Sequence, residues 1–155
     1  MQSYRVSVSE LVQAPVERAH AIVADYHAAH PRILPKPPFI SMAVLRGGIG
    51  AGTEIELQMR LLGKVRTLHG DVSEPEPGRL IVESYRGANV ATSFRFEPTA
   101  GNVATTVTIS TDLQVHGGIR GAVERWFVKR SLQPVYHREL RLLDTVAQER
   151  KAENV

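Results

Sequence analysis

No cysteine occurs among the 155 residues. Disulfides and thiolate metal sites are thereby excluded, and the absence fits a reducing compartment. No stretch approaches the ~18 consecutive apolar residues of a membrane span. Met1-Gln2-Ser3-Tyr4-Arg5 runs straight into alternating residues, without the apolar segment of a secretory leader. The expectation is a cytoplasmic protein with no stable membrane insertion. No serine occupies a Gly-x-Ser-x-Gly turn, so nothing supports a nucleophilic triad. Repeats, low-complexity tracts and linkers are also missing, which predicts a single domain over residues 1–155. A chain of this length buries roughly 70% of its unfolded surface, enough for a core without covalent staples.

Charge of either sign is in slight excess only, 19 basic side chains against 16 acidic. From Gly117 onward eight basic residues face five acids, so this segment alone supplies the net +3. The acids are interleaved and exposed aromatics are not expected there. That pattern suits a solvated helix face better than a nucleic-acid surface, and no nucleic-acid partner is expected.

What is present is a long series of alternating segments. Tyr4, Val6, Val8 and Val12 fall on one side of a strand and Arg5, Ser7 and Ser9 on the other. Pro15 suits the first turn of a helix, where its missing N–H is not needed. Val16, Ala19, Val23 and Tyr26 then recur at helical spacing. Pro31, Pro35, Pro37 and Pro38 end helical structure and force an extended approach to Phe39. Residues 39–115 read as strands divided by turns. In the clearest of them Ile55, Leu57, Met59 and Leu61 alternate with Glu54, Glu56, Gln58 and Arg60. Phe94 and Phe96 share a face of one strand, as do Val107 and Ile109 of the next. Short turns between strands predict an antiparallel sheet with one dry face that needs a cover.

Residues 118–151 supply that cover as the one long helical pattern. Its apolar residues form two stripes: Ile119, Val123, Trp126 and Phe127, then Val128, Leu132, Val135, Leu142 and Val146. At ~100° per residue the stripe centres differ by roughly 150°, too much for one straight helix on one surface. Pro134 lies just past the change, so a break or kink is expected between Val128 and Pro134.

Two motifs invite chemistry and do not carry it. Gly47-Gly48-Ile49-Gly50-Ala51-Gly52 resembles a phosphate cradle in composition, but such a cradle must open a helix and here a strand follows. His27 and His30 are three apart, yet only Asp25 offers a third ligand. They read as surface histidines beside Pro31, and no metal or other cofactor is expected. His116 and His137 have no adjacent partner pattern, and His69 falls on the solvent face of its strand.

The order of strand, short helices, antiparallel strands and long terminal helix resembles that of the START-like, or SRPBCC, superfamily. The stretch Ala14-Pro15-Val16-Glu17-Arg18-Ala19-His20-Ala21-Ile22-Val23-Ala24-Asp25-Tyr26 is similar to the family's opening, where alanine-proline starts a helix ending in aspartate-aromatic. Val72-Ser73-Glu74-Pro75-Glu76-Pro77-Gly78-Arg79-Leu80 is similar to its hairpin, and Ala104-Thr105-Thr106-Val107-Thr108 to its late strand. One departure is His20, where the family usually places a bulky aromatic. Within the superfamily the chain looks most like the polyketide cyclase/dehydrase-like group. The resemblance implies an α+β helix-grip fold, a curved antiparallel sheet wrapped around the long C-terminal helix with two short helices after the first strand. It also implies a cavity between sheet and helix, in members that range from aromatase/cyclases to lipid carriers and receptors.

Within such a cavity the expected function is binding of a hydrophobic small molecule, a lipid, polyketide or isoprenoid-like compound. The alternative is a polyketide cyclase or dehydratase acting in the same place, and a protein adaptor using the exposed helix is a third. Tyr26, His30, Leu57, Met59, Phe94, Trp126 and Phe127 are the candidate ligand contacts. Tyr26, His30, Arg60, Glu83 and Tyr85 are the polar groups a cyclase could use. Strand parity points Arg60 outward and leaves Glu83 and Tyr85 open to either register. Trp126 and its stripe are expected to close over the cavity mouth, opposite the glycine loop.

Overall fold

The computed structural model describes residues 1–61 and 63–153, the side chains of Leu61 and residues 150–153 excepted. Strand β1 (Gln2–Val12) leads into helices α1 (Val16–Ala24) and α2 (His30–Ile33). Six strands follow: β2 (Phe39–Arg46), β3 (Glu54–Leu61), β4 (Lys64–Glu76), β5 (Leu80–Tyr85), β6 (Val90–Pro98) and β7 (Thr105–Val115). Helix α3 (Gly118–Glu153) closes the chain. The strands form one sheet in the order β1-β7-β6-β5-β4-β3-β2, and every neighbouring pair is antiparallel. Strands β2 to β7 are thus a meander, each beside its predecessor. The first strand joins the far edge after the helices have crossed the sheet. The helix-grip fold expected from the resemblance is the fold observed.

Alternation in the sequence sets which face is dry. Ile55, Leu57, Met59, Phe94, Phe96, Val107 and Ile109 are all buried, each separated by an outward neighbour. Leu140, Leu143, Val146 and Ala147 of α3 and Ile22, Val23 and Ile33 of α1 and α2 complete this core. Burying each such side chain is worth roughly 1.5–3 kcal/mol. His20, the departure from the family pattern, sits edge-on to Phe96 with ring centroids 5.4 Å apart. The imidazole therefore packs as an aromatic ring would.

Helix α3 runs unbroken through Pro134, contrary to the expected break. The conflict between its two stripes is resolved by leaving one of them in solvent. Ile119 is 87% exposed, and Val123 and Trp126 are each 61% exposed. Proline removes one intrahelical bond, to the Arg130 carbonyl, and Arg130 and Pro134 both lie on the exposed side, where water can serve that carbonyl. The C-terminal half is seated on the core and holds the axis. Among the described residues no helix is long and apolar enough to cross a membrane.

Register also fixes which loops share an end of the sheet. Met59 pairs with Phe39, Leu61 with Lys64, Tyr85 with Val90 and Val115 with Gln2. These positions stand at one end, where α3 begins. The glycine loop lies at the other end, held against α1: Ile49 bridges Asp25, and the Gly50 N–H donates to the Ala24 carbonyl. It is therefore not at the mouth where the sequence reading placed it.

Candidate functional site

A cavity of about 610 Å³ opens between the sheet and α3. Its walls are mainly apolar, with Leu57, Met59 and Phe94 from the sheet and Val128, Leu132 and Val135 from the helix. Pro37, Arg60, Phe127, Ser131 and Arg138 are exposed and form the rim. His30, Glu83, Tyr85 and Glu139 are buried and mark the inner end.

The inner end is a polar cluster drawn from four elements. Glu83 and Tyr85 are two apart on β5 and both point inward, which settles the register the sequence left open. The outward pair on that strand, Leu80 and Val82, is also apolar and half-buried, so alternation alone could not decide. Tyr85 has room because its cross-strand partner is Gly70, where a Cβ would stand 3.0 Å from the ring. The Tyr26 hydroxyl donates to Glu83 Oε2 at 2.7 Å and the Tyr85 hydroxyl to Oε1 at 3.0 Å. Both Glu83 oxygens therefore accept, the hydrogen-bond pattern of an ionised carboxylate.

His30 is buried, not at the surface as the sequence reading placed it. Its Nδ1–H donates to the Val23 carbonyl at 2.6 Å, and its Nε2 stands 3.8 Å from Glu83 Oε2. The ring stacks on Tyr26 at 4.5 Å and meets Phe94 edge-on at 5.5 Å. His27 goes elsewhere: its Nε2 donates to the Gly47 carbonyl at 3.0 Å, in a space only a glycine at 48 leaves free. The two histidines thus hold separate carbonyls and do not converge. Among the described residues one group has metal-like spacing, Glu54, His69 and Asp71, on the outer face of the sheet. The Arg86 guanidinium fills it, with bonds of 2.7 and 2.6 Å to Asp71 and 3.2 Å to Glu54.

From α3 come Tyr136 and Glu139, neither singled out by sequence. The Tyr136 hydroxyl bonds Thr111, and Thr111 in turn bonds Thr92 at 2.9 Å. Burial pushes the Tyr136 phenol up to about 12. Burial, and then the charge of Glu83, likewise hold the Tyr26 and Tyr85 phenols well above their ordinary range. Glu139 is 3% exposed, and burial followed by the Glu83 charge raises its carboxyl well above the usual carboxylate range. Both causes favour its protonated, neutral form. A signal for it did exist: Glu139 falls at helical spacing inside the apolar run of Val135, Leu142 and Val146. Interleaved charges along the helix made it read as solvated.

Of the seven candidate contacts, His30, Leu57, Met59, Phe94 and Phe127 line the cavity. Tyr26 lies behind His30, its hydroxyl on Glu83. Trp126 does not line it: one residue from Phe127 is ~100° around the helix. The indole stands in solvent with Arg130 over its ring at 5.4 Å. Arg60 is exposed, as parity predicted, at the rim.

A sheet gripping a long helix around a lined cavity defines a helix-grip protein. The sequence profile described as "Polyketide cyclase / dehydrase and lipid transport" matches residues 3–148, and the chain belongs to that family. No curated protein matches it. Among solved structures, the KanY protein is similar at 21% identity and a TM-score of 0.81, covering 96% of this chain and 99% of that one. A START superfamily protein from Mycobacterium smegmatis has 18% identity and a TM-score of 0.71, covering 94% and 97%. The Zhui aromatase/cyclase from Streptomyces sp. R1128 has 17% identity and a TM-score of 0.65, covering 99% and 97%. At these identities the likeness establishes the fold.

Proposed function

We propose that the chain binds a hydrophobic small molecule, a lipid, polyketide or isoprenoid-like compound, between the sheet and α3. The observation that carries this reading is the cavity itself. Its volume of about 610 Å³ falls inside the roughly 300–1,000 Å³ span of small-molecule sites, which are likewise apolar with few polar anchors. Leu57, Met59, Phe94 and Phe127 would touch the body of the ligand and His30 its inner end. Tyr26 would act through Glu83. The purified protein is expected to carry an apolar compound or to bind a polyaromatic probe saturably, read by native mass spectrometry and fluorescence titration. Absence of both would remove the reading.

Phe127 and Trp126 separate contact from proximity. Phe127→Ala removes a rim ring and is expected to weaken probe binding roughly fivefold or more. Trp126→Phe is expected to leave the affinity within about twofold, since the indole contacts solvent and Arg130. Equal losses in both variants would show that the outer stripe takes part in binding.

A second reading, an enzyme of the cyclase or dehydratase kind, is favoured by Glu83 and Glu139 together. One carboxyl accepts two hydrogen bonds, burial and the Glu83 charge raise the other well above the usual carboxylate range, and both border the same space. Acid–base catalysis uses two groups held in opposite protonation states. Incubation with carbonyl-bearing candidates, followed by mass analysis, separates binding from turnover.

A further inference from the structure

A count of hydrogen-bonding capacity at the inner end leaves two groups over, His30 Nε2, 3.8 Å from Glu83, and the Glu139 carboxyl. The Tyr26 and Tyr85 hydroxyls are spent on Glu83, each donating to one of its two oxygens. The Tyr136 hydroxyl is taken by Thr111, itself tied to Thr92, and His30 Nδ1 is held by the Val23 carbonyl. Glu139 has no side-chain hydrogen bond to any described residue, although it is buried and borders the cavity. Buried polar groups are almost always paired, and leaving one unpaired is unfavourable. A neutral carboxyl facing apolar space has one O–H to give.

We propose that Glu139 selects the ligand: its carboxyl donates a hydrogen bond to a neutral acceptor oxygen, a ketone or aldehyde carbonyl, and the inner end refuses carboxylates. This rests on the reading that the cavity takes an apolar molecule. A ligand carboxylate at that depth would meet the Glu83 charge among apolar walls, where like charges repel far more strongly than in water. The arginines of the lining, Arg60 and Arg138, stand at the rim, and Arg138 already donates to the Pro37 carbonyl at 3.1 Å. The arginines can therefore serve an anionic group at the mouth, with the neutral end of the molecule innermost.

Four probes of one shape test this: naphthyl methyl ketone, isopropylnaphthalene, naphthoate and naphthylethylamine, each titrated into the full chain at neutral pH. The ketone is expected to bind roughly tenfold tighter than the hydrocarbon, the worth of one good hydrogen bond. Naphthoate is expected to bind at least tenfold weaker than the hydrocarbon. Glu139→Gln keeps an N–H donor and should keep the ketone preference. Glu139→Leu should bind ketone and hydrocarbon equally, with a thermal melt confirming that it folds. Naphthoate or the amine as the tightest wild-type ligand would overturn the proposal, as would a ketone preference that survives Glu139→Leu. If the hydrocarbon binds and the ketone gains nothing, the selection by Glu139 falls while apolar binding stands. If none of the four binds, both fall.

Discussion

Raising the pH above about 4.5 is expected to destabilise the folded chain through Glu139, and Glu139→Gln to remove that loss. The ordinary carboxyl value is 4.5, and in the fold burial and then the Glu83 charge hold this group well above it. Below 4.5 the carboxyl is protonated whether the chain is folded or not, and its full contribution is present. As pH rises the unfolded chain releases the proton first, so stability falls until the pH passes the folded value. A one-proton difference corresponds to a slope of ~1.4 kcal/mol per pH unit. Glu83, Tyr26, Tyr85 and Tyr136 interact electrostatically with Glu139, His30 lines the same inner end of the cavity, and all are present in both proteins. Asp71, Glu76, Asp112 and Glu124 shift the other way: their carboxyls are held low chiefly by hydrogen bonds, from Arg86, Arg95, Arg5 and the His116 backbone respectively. Their contributions rise with pH and cancel when variant is subtracted from wild type. Urea unfolding from pH 4 to 9 reads the difference. Curves that stay parallel would mean that Glu139 ionises in the fold as it does in the unfolded chain.

The fold was largely legible because alternation and helical spacing report directly on burial. Ile55, Leu57 and Met59 could only face one way once Glu54, Glu56 and Gln58 faced the other, and the structure buries all three. The polar interior was harder, for a physical reason. A pattern of apolar and polar letters assigns every charged residue to solvent, and Glu83 and Glu139 violate that rule. Their burial is made possible by partners far away in sequence: Glu83 accepts from Tyr26, 57 positions distant, through contacts that only the closed sheet creates. His30 was misplaced likewise, since its partner is the carbonyl of Val23, seven residues back, reached after the turn that follows α1. The unbroken α3 shows the opposite limit. Two apolar stripes argued for a bend, yet a straight helix with one stripe in water is tolerated when its C-terminal half is well seated. Exposed apolar side chains are common on protein surfaces.

Phe94→Ala and Phe96→Ala are both expected to cost about 3–5 kcal/mol, and only the first should be repaired by ligand. The two rings alternate with Arg95 on β6 and are 1% and 0% exposed. Phe94 pairs with Ile81 and Ile109 across the sheet and lines the cavity; Phe96 pairs with Val107, meets His20 edge-on and does not line it. Deleting the Phe94 ring therefore enlarges a space that is already open to a guest. Deleting the Phe96 ring makes a closed hole beneath α1. A ligand that binds only the folded chain stabilises it by ~2.7 kcal/mol at a hundred times its dissociation constant. In Phe94→Ala a bulkier apolar probe can also occupy the vacated volume, so its stabilising effect should exceed that on wild type. In Phe96→Ala the effect should equal that on wild type. Thermal melts with and without polyaromatic probes of increasing size read both. Equal repair of the two variants would place the bound probe somewhere other than against Phe94, and the cavity would lose its standing as the binding site.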